Sequence, residues 1–139
     1  HWYWEPTGGA GKSDLVRYMC IKMGAIVCAG KAADMKYQIV KHKEKTGLAP
    51  EIIIFDVPRS MEGYMSYAGI EEIKNGIFAS SKYESEMFMM NRPHVLVLAN
   101  FAPEPGKEMS ADRFNVVRIA RDDDYHEREV NLDGGAWRP

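Results

Sequence analysis

The sequence has few cysteines, no long apolar run and no excess of positive charge. Its two cysteines, Cys20 and Cys28, form no CxxC motif and have no histidine beside them, so neither a zinc site nor a disulfide framework is indicated. A reducing compartment is therefore expected. No apolar stretch approaches the ~20 residues that a membrane-spanning helix needs, and the first residues do not have the pattern of a signal peptide. We expect a soluble, intracellular protein with no membrane partner.

The charges nearly balance, with 18 Lys and Arg against 20 Asp and Glu and a net charge of −2. Such a chain has no overall attraction to nucleic acid, so a polyanionic partner must be bound by a local basic patch. Its 139 residues, 45% of them apolar, are enough for a single core. Because the chain begins directly at its first apolar run, we expect it to be part of a longer protein.

Short apolar runs alternate with segments of helical periodicity. From Lys12 onward, for example, Leu15, Met19 and Met23 recur every four residues with Val16 beside them, which predicts an amphipathic helix that ends near Gly24. The predicted strands are 2–4, 25–29, 52–55, 94–98 and 114–119; the predicted helices are 12–23, 32–45 and a segment around 70–75; a hairpin is predicted over 77–83 and 86–90. This alternation predicts an α/β domain over 1–120 with a largely parallel central sheet flanked by helices. A charged tail, 121–139, follows it.

The stretch GGAGKS lies between the first predicted strand and the first helix. A loop at such a junction points backbone N–H groups into one concavity, where the helix dipole also favours an anion. We expect ATP phosphates to contact the loop, the Lys12 amine to reach the β- and γ-phosphates and the Ser13 hydroxyl to bind Mg²⁺. The loop residues are Gly8, Gly9, Ala10 and Gly11. Pro6 stands where the pattern GxxxxGK[ST] has its first glycine, and the alternative interpretation is a glycine turn that only caps a helix.

Two polar residues follow buried strands. EIIIFD ends in Asp56, which we expect to hold Mg²⁺ through water, although an Asp at this position also commonly starts a turn. HVLVLAN ends in Asn100, which is suited to orient a water molecule beside the γ-phosphate or, alternatively, sits in an ordinary turn. Val57 follows Asp56, so the adjacent carboxylate that often polarises the attacking water is missing.

With these three features, the stretch from Trp2 to about Ile119 resembles the superfamily 3 helicase domain of replication-associated (Rep) proteins of small circular single-stranded DNA viruses. The resemblance is to the nanovirus and alphasatellite branch, whose loop GPxGGxGK[ST] has the same extra residue as EPTGGAGKS. Four further segments follow in the order found in that family: IFDVPRS, IEEIKNGIFASSKYE, PHVLVLANFAP and SADRF. Glu5 is a departure, because the family usually has glycine there, and a carboxylate beside the loop would repel ATP unless it turns away.

The resemblance implies a P-loop NTPase of the AAA+ type that hydrolyses ATP with Mg²⁺. It also implies a hexameric ring that moves on single-stranded DNA with 3′ to 5′ polarity, in the host nucleus or another intracellular replication site. GGAGKS takes the Walker A role, Asp56 the Walker B role and Asn100 that of the sensor asparagine. Arg113 in SADRF matches the arginine finger that acts on the ATP of a neighbouring subunit, with Arg118 as the alternative.

The block between Asp56 and Asn100 matches the family's B′ region, whose hairpin projects into the ring channel. Lys74 and Lys82 are the candidate contacts to the DNA backbone, and Tyr83 either stacks on a base or packs on its own sheet. The side chain of Arg59 faces DNA or a neighbouring subunit, and the sequence does not decide between them. Met87, Met89 and Met90, in the second strand of the hairpin, are expected to fill gaps in the packing.

The general base is unassigned, and Glu71 or Glu72 would serve only if the fold brings one of them near the site. The isolated domain is expected to be monomeric or weakly associated. The rival interpretations are a small-molecule P-loop kinase and a non-catalytic nucleotide- or DNA-binding module that keeps a degenerate loop.

Overall fold

The computed structural model describes residues 1–8, 11–29, 31–80, 86–104 and 115–119, which form seven strands and three α-helices within these ranges. The strands are β1 (Trp2–Trp4), β2 (Ile26–Cys28), β3 (Ile52–Asp56), β4 (Ile77–Ala79), β5 (Met87–Met89), β6 (His94–Ala99) and β7 (Val116–Arg118). The helices are α1 (Lys12–Met23), α2 (Ala32–Thr46) and α3 (Tyr67–Asn75). A short 3-10 turn occupies Arg59–Met61. The predicted tail, 121–139, lies outside the described residues.

Five of the strands form one sheet in the order β2-β3-β6-β1-β7, and every neighbouring pair in it is parallel. The central strands are continuous apolar runs, as is typical of parallel strands that are covered on both faces. The prediction of a mixed α/β domain with a largely parallel sheet flanked by helices is therefore confirmed. The predicted strand and helix bounds agree with the structure to within a few residues.

The side chains of β3 and β6 alternate between two apolar layers. Ile54, Leu96 and Leu98 point to the side that α1 covers with Leu15, Val16 and Met19. The residues of the opposite face pack under α2 and α3, and they include Ile53, Phe55, Val95 and Val97 of the sheet with Met35, Ile39, Ile70 and Ile73 of the helices. Because successive side chains of a strand point to opposite faces of the sheet, one set of side chains packs against α1 and the other against α2 and α3.

Helix α1 begins and ends at glycines with positive φ. Gly11 (φ 87°) precedes the helix and Gly24 (φ 69°) closes it, and the Gly24 amide donates to the Met19 carbonyl oxygen. The expectation that Met23 belongs to the buried stripe is wrong, because this side chain is 51% exposed. It stands in the last turn of the helix and is not among the side chains of α1 that pack on the sheet.

The two strands of the predicted hairpin are present as the antiparallel pair of β4 and β5, and its residues 81–85 lie outside the described ranges. Phe78 and Phe88 stand opposite each other in its register, and their ring centroids are 5.2 Å apart. The neighbouring positions Ile77, Met87 and Met89 point to the other face and are exposed. The expectation that Met87 and Met89 fill gaps in the core is therefore wrong, because a two-stranded ribbon buries only one of its faces here.

Candidate functional site

The glycine loop leaves β1 at the carboxyl edge of the sheet. The Glu5 amide donates to the Ala99 carbonyl oxygen at 3.2 Å, which fixes the start of the loop beside the end of β6. Gly8 and Gly11 both have positive φ, a conformation that side chains other than glycine adopt at a cost. Gly11 offers no side-chain cap to α1, so the first amides of the helix have no side-chain acceptor from their cap residue. Gly9 and Ala10 lie outside the described residues.

Lys12, the first residue of α1, forms an ion pair with Glu5. Its Nζ atom lies 2.6 Å from Glu5 Oε1, and the Lys12 side chain is only 14% exposed. The other carboxylate oxygen, Glu5 Oε2, accepts hydrogen bonds from the Thr7 amide at 2.9 Å and the Thr7 hydroxyl at 3.0 Å. The carboxylate therefore turns toward the loop. It does not turn away from the position where the phosphates are expected, as it would have to do to leave that position free.

Glu5 is fully buried, with 0% exposure. Burial by itself raises the pKa of this carboxyl, but the hydrogen bonds from Lys12 and Thr7 outweigh burial, and the pKa lies below its ordinary value. A buried carboxylate needs charged or strongly polar partners of this kind, since an uncompensated charge in the interior is costly. Glu5 is thus an ionised group inside the loop that was expected to bind phosphate.

Asn100 directly follows β6 and points its side chain at the start of the loop. Its Nδ2 atom donates to the Glu5 carbonyl oxygen at 3.3 Å and makes a longer contact of 3.5 Å with Glu5 Oε1. The predicted sensor residue and the predicted Walker A lysine therefore contact the same glutamate.

Asp56 is the last residue of β3, the strand next to β6 in the sheet. It pairs in register with Leu98, and the Val57 amide donates to the Leu98 carbonyl oxygen at 2.8 Å. Its side chain is exposed and makes no hydrogen bond or ion pair within the described part of the chain. Such a carboxylate and the Ser13 hydroxyl, at the second position of α1, are the hard oxygen donors that suit Mg²⁺. The described residues contain no group of three or more His, Cys, Asp or Glu side chains that could hold a metal ion.

Arg59 contacts the loop, which the sequence did not predict. Its Nη2 atom donates to the Pro6 carbonyl oxygen, and so ties the segment after β3 to the glycine loop. A basic residue three positions after the predicted Walker B aspartate was the available signal, but its partner is 53 residues away in the chain.

Other predicted residues lie away from the loop or outside the described ranges. Lys74 stands in the last turn of α3, where its charge, after the larger effect of burial, lowers the pKa of the amino group at His1. That amino group precedes β1, at the other end of the strand from the loop. Glu72 forms an ion pair with Lys36 at 2.8 Å, so the structure pairs it with α2. Lys82, Tyr83 and Arg113 lie outside the described residues.

Arg118 ends β7, beside the end of β1. Its guanidinium carbon lies 5.8 Å from the centre of the Trp4 ring, a distance typical of a cation–π contact. The alternative candidate for an arginine finger thus packs on an aromatic side chain of its own subunit.

A cavity of about 480 Å³ opens beside Asp56, between the ends of β2 and β3 and the start of α2. Its lining is largely apolar with a few polar side chains, and it includes Cys28, Ala32, Met35, Phe55, Asp56, Ser60, Met61, Tyr64 and Ser66. Pockets of this size and composition are typical of small-molecule sites.

These features define a class of protein: a mixed α/β domain with a glycine loop, a strand-end aspartate and a strand-end asparagine at the carboxyl edge of a parallel sheet. The chain is 37% identical over 117 residues to the master replication protein of Subterranean clover stunt virus, 36% over 118 residues to Para-Rep C2 of Milk vetch dwarf C2 alphasatellite and 34% over 117 residues to the master replication protein of Banana bunchy top virus. Its homologues are thus replication proteins of nanoviruses and alphasatellites.

Each of these matches covers 84% of this chain but only 38% or 39% of the relative. The chain therefore spans about two fifths of the length of these proteins. No family model matches the chain. None of the helices in the described ranges is long and apolar enough to cross a membrane.

Proposed function

We propose that this domain is the ATP-driven helicase motor of a viral replication protein, with a P-loop NTPase fold of the AAA+ type. In this proposal it hydrolyses ATP at the subunit interfaces of a hexameric ring and moves on single-stranded DNA. The observation that carries the proposal is the gathering of the glycine loop, Lys12, Asp56 and Asn100 at the carboxyl edge of one parallel sheet. Ligands of open α/β sheets bind outside the carboxyl ends of the strands.

Each of these groups has a chemical role in the proposal. The amides at the start of α1 and the Lys12 ammonium bind the phosphates. Ser13 and Asp56 would hold Mg²⁺, which when bound neutralises phosphate charge. Asn100 has an amide side chain aimed at the loop and orients the attacking water. Arg113 reaches the ATP of a neighbouring subunit, where such an arginine typically raises the rate ~10³-fold or more.

The names of the homologues support a part in replication, since two of the three are master replication proteins and the third is a Para-Rep protein. DNA contact is assigned to Lys74 and Lys82. A ring gathers weak contacts from several subunits into one channel, which allows a chain of net charge −2 to bind a polyanion.

The test is Mg²⁺-dependent ATPase activity at increasing protein concentration, with and without single-stranded DNA. The proposal predicts that turnover per subunit rises with concentration and with DNA, because the arginine comes from a neighbour. Lys12→Ala should abolish turnover, whereas Lys22→Ala, an exposed lysine in the last turn of the same helix, should leave it unchanged. Turnover that is constant on dilution and indifferent to DNA would exclude the motor.

One observation favours a second candidate, a small-molecule P-loop kinase. The cavity beside Asp56 is large enough for a small phosphate acceptor. A kinase would transfer phosphate to such an acceptor as a monomer, without DNA. Phosphorylation of small molecules by a dilute sample, combined with no response to DNA, would select this candidate.

The Glu5–Lys12 ion pair favours a third candidate, a non-catalytic nucleotide- or DNA-binding module, because the lysine that should bind phosphate is already occupied. Absence of Mg²⁺-dependent ATPase at high concentration with DNA would select that module.

A further inference from the structure

The loop donors that should bind phosphate are already bound to an anion of the chain itself. An ammonium (Lys12), a backbone amide and a hydroxyl (both of Thr7) donate to the Glu5 carboxylate at 2.6, 2.9 and 3.0 Å. Phosphate-binding loops offer these same kinds of donor to phosphate oxygens. The carboxylate therefore occupies, in chemical terms, the position of a ligand.

A role for Glu5 as the missing general base does not fit its surroundings. Its carboxylate is fully buried, its two oxygens accept three short hydrogen bonds, and its pKa is lowered. A general base needs access to water and a pKa close to the working pH. Glu5 has neither property, so its contacts with the loop call for a different role.

We propose that Glu5 is an internal anion that competes with nucleotide phosphate for Lys12 and Thr7, and so sets the affinity of the site for nucleotides. This inference rests on the proposed function, since it assumes that the loop binds a nucleotide. Asn100, which donates to the Glu5 carbonyl oxygen at 3.3 Å, is held in the same cluster.

Two routes to the bound state exist, and both lower affinity. If Lys12 leaves Glu5 to reach the phosphates, the buried carboxylate loses its cation, which is unfavourable. If Lys12 instead bridges the carboxylate and the phosphates, two like-charged groups come together in a poorly solvated site. In either case a neutral residue at position 5 relieves the cost.

The experiment measures the affinity of this chain for a non-hydrolysable ATP analogue with Mg²⁺ by calorimetry. Glu5→Gln keeps the size of the side chain and removes its charge, and we expect it to tighten binding about tenfold or more, the effect of one hydrogen bond to a charged group. Glu51→Gln is the matched control. Glu51 is exposed at the amino end of β3, and the five residues of that strand, at about 3.3 Å each, separate it from the site by roughly 15 Å. The affinity of the Glu51→Gln variant for the ATP analogue should differ from that of wild type by less than about twofold.

The outcomes separate the two proposals. Tighter binding by Glu5→Gln alone, including the case in which wild type shows no measurable binding, supports the internal anion. Equal or weaker binding by Glu5→Gln than by wild type overturns it and leaves the nucleotide site standing. If neither protein binds the analogue at millimolar concentration, the nucleotide site itself is refuted, and the inference falls with it.

A second measurement needs no variant and decides the matter if Glu5→Gln does not fold. The carboxyl carbon of Glu5 is followed by NMR in wild-type protein while the Mg²⁺–ATP analogue is added. The proposal predicts that its resonance shifts in step with occupancy, because Lys12 changes partner or gains a second one. A saturated site with an unmoved Glu5 resonance would overturn the proposal.

Discussion

Replacement of Lys12 by methionine should destabilise the protein even in the absence of nucleotide. Met keeps most of the side-chain volume and removes the ammonium that lies 2.6 Å from Glu5 Oε1. The pair belongs to the buried class, since the exposed fractions of the two side chains are 14% and 1%. Exposed pairs contribute about 0–1 kcal/mol, whereas removal of one partner of a buried pair costs about 3–5 kcal/mol. Because Thr7 still donates two hydrogen bonds to the carboxylate, we expect a loss at the lower end, about 3 kcal/mol.

Urea unfolding followed by circular dichroism measures this loss as a change in midpoint at constant slope. Lys22→Met, on the exposed last turn of the same helix, should change the free energy of unfolding by no more than about 0.5 kcal/mol. The double replacement of Glu5 by Gln and Lys12 by Met should recover most of the loss, because no charge is then left buried. If Lys12→Met costs no more than Lys22→Met, the ion pair does not hold the loop, and the internal-anion proposal loses its structural basis.

Three further predictions follow from the same structure. Because the pKa of Glu5 is lowered from its ordinary 4.5, the stability advantage of wild type over Glu5→Gln should be complete at neutral pH and decline as pH falls below that value; an advantage that grows on acidification would contradict the sign. Burial raises the pKa of Cys28 to about 12, so at pH 8 a thiol reagent should modify the half-buried Cys20 and reach Cys28 only in denaturant; two rapidly reacting thiols in the native protein would argue against this core. Gly76→Ala should cost clearly more than Gly47→Ala, since both positions have φ near 80° but an added Cβ overlaps the Met90 carbonyl oxygen only at Gly76; we expect about 1 kcal/mol for Gly47→Ala, and equal losses in urea unfolding would contradict the packing of α3 on the hairpin.

The sequence predicted the elements of the fold well because its signals are local. Apolar runs placed the sheet strands, and the glycines that close α1 and α3 marked the helix ends. Asp56 and Asn100 were correctly placed at strand ends, since each directly follows an apolar run. Met87 and Met89 were misplaced because hydrophobicity alone does not say which face of a two-stranded ribbon is covered.

The contacts within the candidate site were harder to predict, because they join residues that are distant in the chain. Arg59 meets a carbonyl oxygen 53 residues away, and Asn100 meets Glu5 across 95 residues. The Glu5–Lys12 pair is separated by only seven residues and had a usable signal. A glutamate between Trp4 and Pro6, at the end of a buried strand, needs a cation, and Lys12 is the next one along the chain.

The most direct measurement is a structure of this chain with Mg²⁺ and a non-hydrolysable ATP analogue. The account predicts phosphates against the amides between Gly8 and Ser13, with the Lys12 ammonium moved onto them from its present contact with Glu5. A nucleotide bound elsewhere, for example in the cavity beside Asp56, with the Glu5–Lys12 pair unchanged, would contradict it.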